Sequence, residues 1–135
     1  MKMNAAYEMR DRYLYVRVTG EYNEVEAREI LLEWTAMMRN HYLNRVLYDT
    51  TLMTGFDAES QSVITSFKAS ELIAQLVPRS VRLAFLQSPS QSRKDRFDEN
   101  VMFNRGVMVR VTSDLQDAIE WLGTGSPYIS GSGDE

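Results

Sequence analysis

The feature that most constrains this chain is its alternation between two apolar patterns. Residues 13–19 place an aliphatic residue at every second position, which is the period of a half-buried strand. Residues 23–40 repeat apolar residues every three or four positions, which is the period of a helix. A shorter strand over 6–10 precedes the first pattern, with Asp11-Arg12 at the turn of a hairpin. The two patterns then alternate to residue 122, which predicts an α/β fold with a five-stranded, mostly parallel mixed sheet, an opening β-hairpin and four helices.

Capping signals predict where the helices begin and end. Asn23, with Glu26 three residues later, predicts the start of a helix that continues to Asn40. Ser113 and Gln116 form a second pattern of this kind and predict the start of the last helix. The chain therefore carries local start signals for its first and last helices.

Two segments in the first half of the chain are harder to interpret. Gly20 is predicted to end the second strand, and Arg45 to Asp49 is predicted to be a short buried strand whose polar end opens a loop through Gly55. A helix over 57–77, capped by Asp57, carries two apolar stripes roughly 150° apart at helical spacing. This helix is therefore either broken near its middle or apolar on two sides, and in the second case it forms a partner surface or a pocket wall.

In the second half of the chain, residues 81–86 are predicted to form a central strand, since their later part is entirely apolar. Ser92 is a plausible cap for a helix over 93–104, and residues 107–111 predict the last strand. The tail from 124 to 135 is rich in glycine, serine and polar residues, so we predict that it is disordered. Residues 1–123 then form a single domain.

Composition excludes several kinds of site. The net charge of -4, with lysine and arginine interspersed among acids, argues against a nucleic-acid partner. The chain has no cysteine, which removes thiolate nucleophiles and cysteine-ligated metals, and His41 is its only histidine, expected at the surface. We therefore expect no catalytic residue, no metal and no cofactor. With no apolar run long enough to span a bilayer and no secretory signal in residues 1–12, we expect a cytoplasmic protein.

Several segments taken together resemble a known family. The chain is similar to STAS-type domains of the SpoIIAA-like group, which includes anti-sigma-factor antagonists. The resemblance extends over residues 7 to 122 and rests on the order of six segments: Tyr13–Gly20, Arg45–Asp49, Arg82–Leu86, Arg96–Val101, Asn104–Val107 and Asp117–Leu122. It implies a non-enzymatic binding module. The best-known members of this family are switched by phosphorylation of a serine in an Asp-Ser-Ser-Gly turn, and the matching stretch here, 49–57, departs from that pattern.

In open α/β sheets, ligands bind at the carboxyl ends of the strands, where four loops of this chain should meet. These loops are predicted over 20–23, 50–56, 87–92 and 112–114. Any site is therefore expected at this edge of the sheet.

The loop after the third strand holds five candidate site residues. Thr50, Thr51 and Thr54 have hydroxyls that can accept a phosphate or bind a polar ligand, or that satisfy the local backbone. Met53 and Phe56 either line an apolar pocket or cover the core. An apolar pocket near Met53 and Phe56 is what a ligand carrier requires.

The stretch after the fourth strand holds the remaining candidates, Ser88, Ser90 and Ser92, followed by Arg93 and Lys94. Hydroxyls and basic residues at a helix N-terminus can hold an anion. The alternative is helix capping beside a solvated charged face.

These observations predict a non-enzymatic binding or regulatory module that recognises a protein partner. The alternative is a carrier or sensor of a small apolar, lipid-like ligand, an idea that the resemblance supports through its likeness to lipid-transfer folds. No nucleic acid and no transmembrane segment is expected. A homodimer is more plausible if the helix over 57–77 exposes apolar residues.

Overall fold

The computed structural model describes residues 2–10, 12–56, 63–91 and 97–123, without the side chains of 63–66 and 97–98. The described residues form five strands and four helices in the predicted order. The strands are β1 (Asn4–Arg10), β2 (Tyr13–Glu21), β3 (Arg45–Thr54), β4 (Arg82–Leu86) and β5 (Met108–Thr112). The helices are α1 (Glu24–Asn40), α2 (Val63–Leu76), α3 (Phe97–Asn104) and α4 (Leu115–Leu122). The predicted caps Asp57 and Ser92, the predicted helix start at Arg93 and the tail 124–135 lie outside the described residues.

The sheet has the strand order β1-β2-β3-β4-β5. β1 pairs with β2 in antiparallel fashion, and all later neighbours are parallel. Arg10 pairs with Tyr13, which leaves a two-residue hairpin turn in which Arg12 has a φ of 66°. This arrangement confirms the predicted mixed sheet with its opening hairpin.

The helices cover the two faces of the sheet unequally. Side chains of α1, α2 and α3 form the larger core with one face, whereas Ala118 and Leu122 of α4 form a smaller core with the other. In β4, Leu83 and Phe85 belong to the larger core, and Ala84 and Leu86 belong to the smaller one. The predicted central position of this strand is therefore confirmed, because it is covered on both faces.

The first helix begins and ends where its capping signals predict. The Asn23 side chain accepts a hydrogen bond from the backbone N–H of Glu26 at 3.0 Å, and α1 ends at Asn40. The Glu26 carboxylate does not return to the cap. It accepts a hydrogen bond from the backbone N–H of Met3 at 2.9 Å, so it holds the N-terminal segment against the helix.

The predicted loop from Asp49 through Gly55 is wrong, because β3 continues to Thr54. Gly20 likewise does not end β2, which continues to Glu21 and pairs Gly20 with Met53. Each strand continues because it pairs with the other. The Thr-rich end of β3 shows only a weak strand pattern, but its pairing with β2 satisfies its backbone hydrogen bonds. Thr50, Thr51, Met53 and Thr54 are therefore strand residues rather than loop residues.

The second helix is continuous from Val63 to Leu76, so the predicted break does not occur in this span. α2 packs between α1 and α3, which explains why it is apolar on two sides. From Phe67 to Val77, every large apolar side chain is buried or half-buried. This part of α2 therefore lends no support to a homodimer, which stays a prediction.

The last helix begins one residue later than predicted. Asp114 rather than Ser113 is its N-cap, and the Asp114 carboxylate accepts a hydrogen bond from the backbone N–H of Gln116 at 3.0 Å. A carboxylate is favoured at this position because it also faces the positive end of the helix dipole. Gly123 ends the helix in the left-handed conformation, which glycine adopts without strain.

Candidate functional site

A bulge in β3 shapes the carboxyl end of the sheet. Arg17 pairs with Asp49 and Thr19 pairs with Leu52, so β3 advances three residues while β2 advances two. The extra residue in β3 interrupts the strict alternation of side chains. As a result Thr50 and Met53 both line the face covered by α1 and α2, whereas the Thr51 side chain joins Asp49 on the opposite face.

An apolar pocket lies at this end of the sheet, between the strands and the first two helices. Its volume is about 30 Å³. We call it the strand-end pocket, and its described lining residues are Met3, Tyr22, Ala27, Leu31, Tyr48, Thr50, Met53, Phe56, Ala69, Ser70, Leu72, Ile73, Phe85 and Gln87. A cavity needs a volume of at least about 10–15 Å³ to hold one water molecule, so the pocket has room for about two.

The side chain of Gln91 holds one wall of the strand-end pocket in place. Its amide nitrogen donates hydrogen bonds to the carbonyl of Thr50 at 2.8 Å and to the carbonyl of Met53 at 3.0 Å. Its amide oxygen accepts a hydrogen bond from the backbone N–H of Ser88 at 2.9 Å. Gln91 is buried, and it joins the turn after β4 to the bulged part of β3.

The N-terminal segment and an aromatic pair form the outer part of the pocket lining. Met3 is buried, and its thioether accepts a hydrogen bond from the backbone N–H of Asn23 at 3.1 Å. The rings of Tyr22 and Phe56 are tilted against each other with centroids 4.9 Å apart. Gly20 permits this packing: a Cβ at this position, where φ is +92°, would lie 2.2 Å from the carbonyl oxygen of Lys2.

The pocket has a neutral lining. None of its described lining residues carries a charged side chain. Burial, and then the nearby Glu24 carboxylate, raises the pKa of the Tyr22 phenol to about 12. Burial raises the pKa of Tyr48 well above its ordinary value of 10.0, so both phenols keep their protons at neutral pH.

The opposite face of the sheet carries a polar network centred on Asp49. The Asp49 carboxylate is buried and accepts a hydrogen bond from the Tyr15 hydroxyl at 2.6 Å. It also accepts hydrogen bonds from the backbone N–H of Thr51 at 2.9 Å and from the Thr51 hydroxyl at 2.7 Å. The Arg10 guanidinium lies 4.2 Å from the centre of the Tyr15 ring. The network ties β1, β2 and β3 together on the face that α4 leaves partly uncovered.

The structure divides the candidate residues after the third strand into two groups. Thr50, Met53 and Phe56 are buried and line the strand-end pocket. Thr51 is half-exposed, and Thr54 is exposed with its hydroxyl 3.3 Å from the carbonyl oxygen of Gly20. A pocket near Met53 and Phe56, which the carrier alternative requires, is therefore present.

Ser88 and Ser90, the two described candidates after the fourth strand, do not line the strand-end pocket. Ser88 is half-exposed and Ser90 is exposed, with their hydroxyl oxygens 3.2 Å apart. Ser92 lies outside the described residues. His41 is exposed at the end of α1, as predicted.

Sequence reasoning missed the residues that seal and brace the pocket. Gln91 sits in a serine-rich turn, where nothing in the local pattern distinguishes a buried amide from a solvated one. Met3 precedes the first strand pattern, and Ser70 and Gln87 are polar residues in otherwise apolar surroundings. Their roles depend on contacts between segments far apart in the chain, which periodicity does not report.

Other kinds of site find no support in the described ranges. Within them, no three side chains of the types that bind metals come together as a possible metal site. None of the described helices is both long enough and apolar enough to cross a membrane.

Comparison with known proteins reveals a likeness to a solved structure. No protein-family model matches the chain, and no curated protein matches it significantly. Among solved structures, the chain is similar to an anti-sigma factor antagonist from Mycobacterium paratuberculosis, with a TM-score of 0.58 over 90% of this chain and 95% of that chain. The chain has the STAS-type fold. At 13% identity the likeness shows the fold alone, and it confirms the architecture that the sequence resemblance implied.

Proposed function

We propose that this chain is a non-enzymatic regulatory module that acts by recognising a protein partner. The STAS-type fold supports this proposal, because the similar solved structure is that of an anti-sigma factor antagonist. The chemistry of the chain points the same way, since it has no cysteine and its single histidine is exposed at the end of a helix.

The exposed end of β3 is the surface that fits a partner best. The exposure of the Leu52 side chain is the main support for the proposal. Its side chain is 56% exposed, although it belongs to a strand in the middle of the sheet. Half-exposed Thr51 and exposed Thr54 flank it and offer hydroxyl groups. An apolar contact with polar groups around it is the usual anatomy of a protein interface.

Phosphorylation of this surface is the regulation that we propose for it. Thr51 and Thr54 are both at least partly accessible, whereas Thr50 is 1% exposed and its hydroxyl donates to the carbonyl of Leu86 at 3.2 Å. A kinase can therefore reach Thr51 or Thr54 in the folded protein but not Thr50. Phosphate labelling that appears at neither Thr51 nor Thr54 would count against the switch.

Site-specific crosslinking tests the partner proposal. A photo-reactive amino acid is placed at Leu52 and, as a matched control, at Leu115, which is 46% exposed on α4. We expect position 52 to capture one defined protein that position 115 does not capture. We also expect Leu52→Glu to abolish binding of that purified protein while Leu115→Glu leaves it unchanged. Equal capture at both positions, or unchanged binding by Leu52→Glu, contradicts the proposal.

A second candidate function, the binding of a small apolar ligand, is favoured by the strand-end pocket. Buried pockets with apolar walls and a few polar groups are the usual form of small-molecule sites. Native mass spectrometry of gently purified protein tests this candidate. We expect an extra mass that disappears on denaturation and that is lost in Ala27→Leu, which fills the pocket, but not in the surface variant Leu32→Ala. A clean polypeptide mass argues against it.

A further inference from the structure

We infer that two arginines at the amino end of the sheet bind a dianionic oxyanion of the phosphate type. Arg45 and Arg82 are the first residues of β3 and β4, and they pair with each other across the two strands. Leu52, in the proposed partner surface, lies about 20 Å further along β3. The inference therefore concerns a separate site and goes beyond both proposed functions.

Both arginine side chains start from the face of the sheet that α4 covers. Side chains alternate between the two faces along a strand, so Arg45 shares the face of Leu47, and Arg82 shares the face of Ala84. Leu47 and Ala84 both belong to the smaller core beneath α4. Because neighbouring strands lie about 4.8 Å apart, two positive charges are attached here at adjacent positions.

The last turn of α4 fixes the direction of the Arg82 side chain. Its Nη2 donates a hydrogen bond to the carbonyl oxygen of Trp121 at 2.6 Å. Its guanidinium carbon lies 4.5 Å from the centre of the Trp121 ring. These two contacts hold the guanidinium group against α4 and form one wall of the proposed site.

Arg45 carries a charge that no described carboxylate balances. None of the described acidic residues forms an ion pair with it. Its Nε is buried and has no hydrogen-bond partner among the described residues. Two like charges on adjacent strands repel each other, and a buried donor without a partner is costly. An anion bound at Arg45, next to Arg82, would relieve both penalties.

The chemistry of the arginine pair indicates the class of anion. A guanidinium group presents its N–H groups in a planar fork that fits the oxygens of a phosphate or a carboxylate. Two positive charges match a dianion, and a phosphate group carries a charge close to -2 at neutral pH. The strand positions level with the pair are Met108 on β5 and, since Leu14 pairs with Val46, Tyr13 on β2, so neither neighbour is an acid that would repel the anion.

The first experiment follows the Nε–Hε NMR signals of the arginines in the full chain. The probes are sodium phosphate, sodium sulfate and sodium acetate at matched ionic strength. We expect phosphate and sulfate to shift the Arg45 and Arg82 signals saturably, and acetate to bind about tenfold more weakly. Exposed Arg39 on α1, and Arg110, which already pairs with Asp117, are internal controls without a saturable shift.

Arg45→Gln tests the site by a second measurement, thermal unfolding in phosphate against sodium chloride of equal ionic strength. Phosphate also stabilises proteins by exclusion from their surface, so the gain of the natural protein is compared with that of the variant. At about ten times the dissociation constant of phosphate, we expect the natural protein to gain about 4 °C more than Arg45→Gln. Arg39→Gln is the matched control and should keep the full gain.

A titration with phosphoserine blocked at both ends distinguishes two sources of the anion. Binding as tight as that of inorganic phosphate supports a phosphate group carried on a polypeptide, and weaker binding supports a free anion. If neither phosphate nor sulfate shifts Arg45 more than Arg39, or if Arg45→Gln keeps the full thermal gain, the site is overturned. Acetate that binds as tightly as phosphate would overturn the dianion class.

Discussion

Thr50 and Thr51 are neighbours in the sequence but belong to two different environments. Thr50 is fully buried in the neutral wall of the strand-end pocket, where its hydroxyl donates to a backbone carbonyl. Thr51 is half-exposed on the opposite face, where its hydroxyl donates to the charged Asp49 carboxylate. One strand end therefore presents two different surfaces, a buried one with a neutral lining and an accessible one with a polar network.

The two faces are also held together differently. On the pocket side, the uncharged Gln91 amide satisfies backbone groups of β3 and of the turn after β4. On the other side, the Asp49 carboxylate accepts three hydrogen bonds from donors in β2 and β3. Each face can therefore be weakened by one substitution, and the effect on the other face shows whether the two are independent.

The largest effect is expected for Gln91→Ala on the pocket side. The substitution takes this partner from the carbonyls of Thr50 and Met53 in β3 and from the N–H of Ser88 in the turn, and we expect the free energy of unfolding to fall by about 3 kcal/mol. Urea denaturation measures this loss, and the extra mass expected in native mass spectrometry should weaken in parallel. Gln116→Ala, at an exposed position on α4, is the control and should change stability by less than about 0.5 kcal/mol. Similar losses for both variants would show that Gln91 does not brace the pocket.

A somewhat smaller effect is expected for Asp49→Ala on the opposite face. The Tyr15 hydroxyl and the Thr51 N–H lose their acceptor, which should cost about 2–3 kcal/mol in the same assay. The matched control is Asp117→Ala, which breaks a partly exposed ion pair with Arg110 and should cost at most about 1 kcal/mol. The extra mass expected in native mass spectrometry should persist in Asp49→Ala. A parallel loss of that mass would contradict the independence of the two faces.

Gly20→Ala tests how the N-terminal segment packs against the pocket. The new Cβ meets the backbone of Lys2 and also requires a left-handed conformation, so we expect a loss of about 2 kcal/mol and a displaced N-terminal segment. Gly123→Ala shares the positive φ but meets nothing within 4 Å, and should cost about 1 kcal/mol. Thermal unfolding measures both losses of stability. The methyl NMR signal of Met3 should move only in Gly20→Ala. A Met3 methyl NMR signal that does not move would show that Gly20 does not position the N-terminal segment at the pocket.

The smallest effect is expected for Tyr15→Phe, which removes one hydrogen bond to Asp49 and should cost about 1 kcal/mol. Burial, and then the bond to Asp49, raises the pKa of Tyr15 from 10.0 to about 12. The folded state thus holds the phenol proton more tightly than the unfolded chain does. This contribution is complete below about pH 10 and is lost as the pH rises towards 12.

Urea denaturation at a series of alkaline pH values checks this sign. The stability difference between the natural protein and Tyr15→Phe should be constant near neutrality and should shrink between pH 10 and pH 12. Tyr42→Phe, at a phenol that is almost fully exposed, is the control and should show no such change. A difference that grows with pH would mean that Asp49 does not hold the Tyr15 proton.

Much of the fold could be predicted because it depends on local patterns. The period of two in β2 and the period of three to four in α1 each follow from which side of a segment faces the core. Asn23 caps α1 through a backbone group only three residues away, so sequence alone placed that helix start correctly. Where a second capping residue lay next to the predicted one, as Asp114 lies next to Ser113, the local signal was off by one position.

The candidate site could be predicted only in part. Residues 50–56 were correctly assigned to the carboxyl end of the sheet, and Met53 and Phe56 do line a pocket there. The interpretation of this segment as a loop was wrong, because only pairing with β2 shows that the strand continues past a bulge. Which face each threonine occupies then depends on that one extra residue.

The sequence by itself determined the order of strands and helices and the class of the fold, since both follow from periodicities within single segments. Only the tertiary structure decided the pocket, the hydrogen bonds of Gln91 beside it, the place of Met3 in its lining and the Asp49 network on the opposite face. Gln91 and Thr50 are 41 residues apart, and Tyr15 and Asp49 are 34 residues apart. A hydrogen bond between such residues depends on how whole strands pair and pack, and no local pattern encodes that distance.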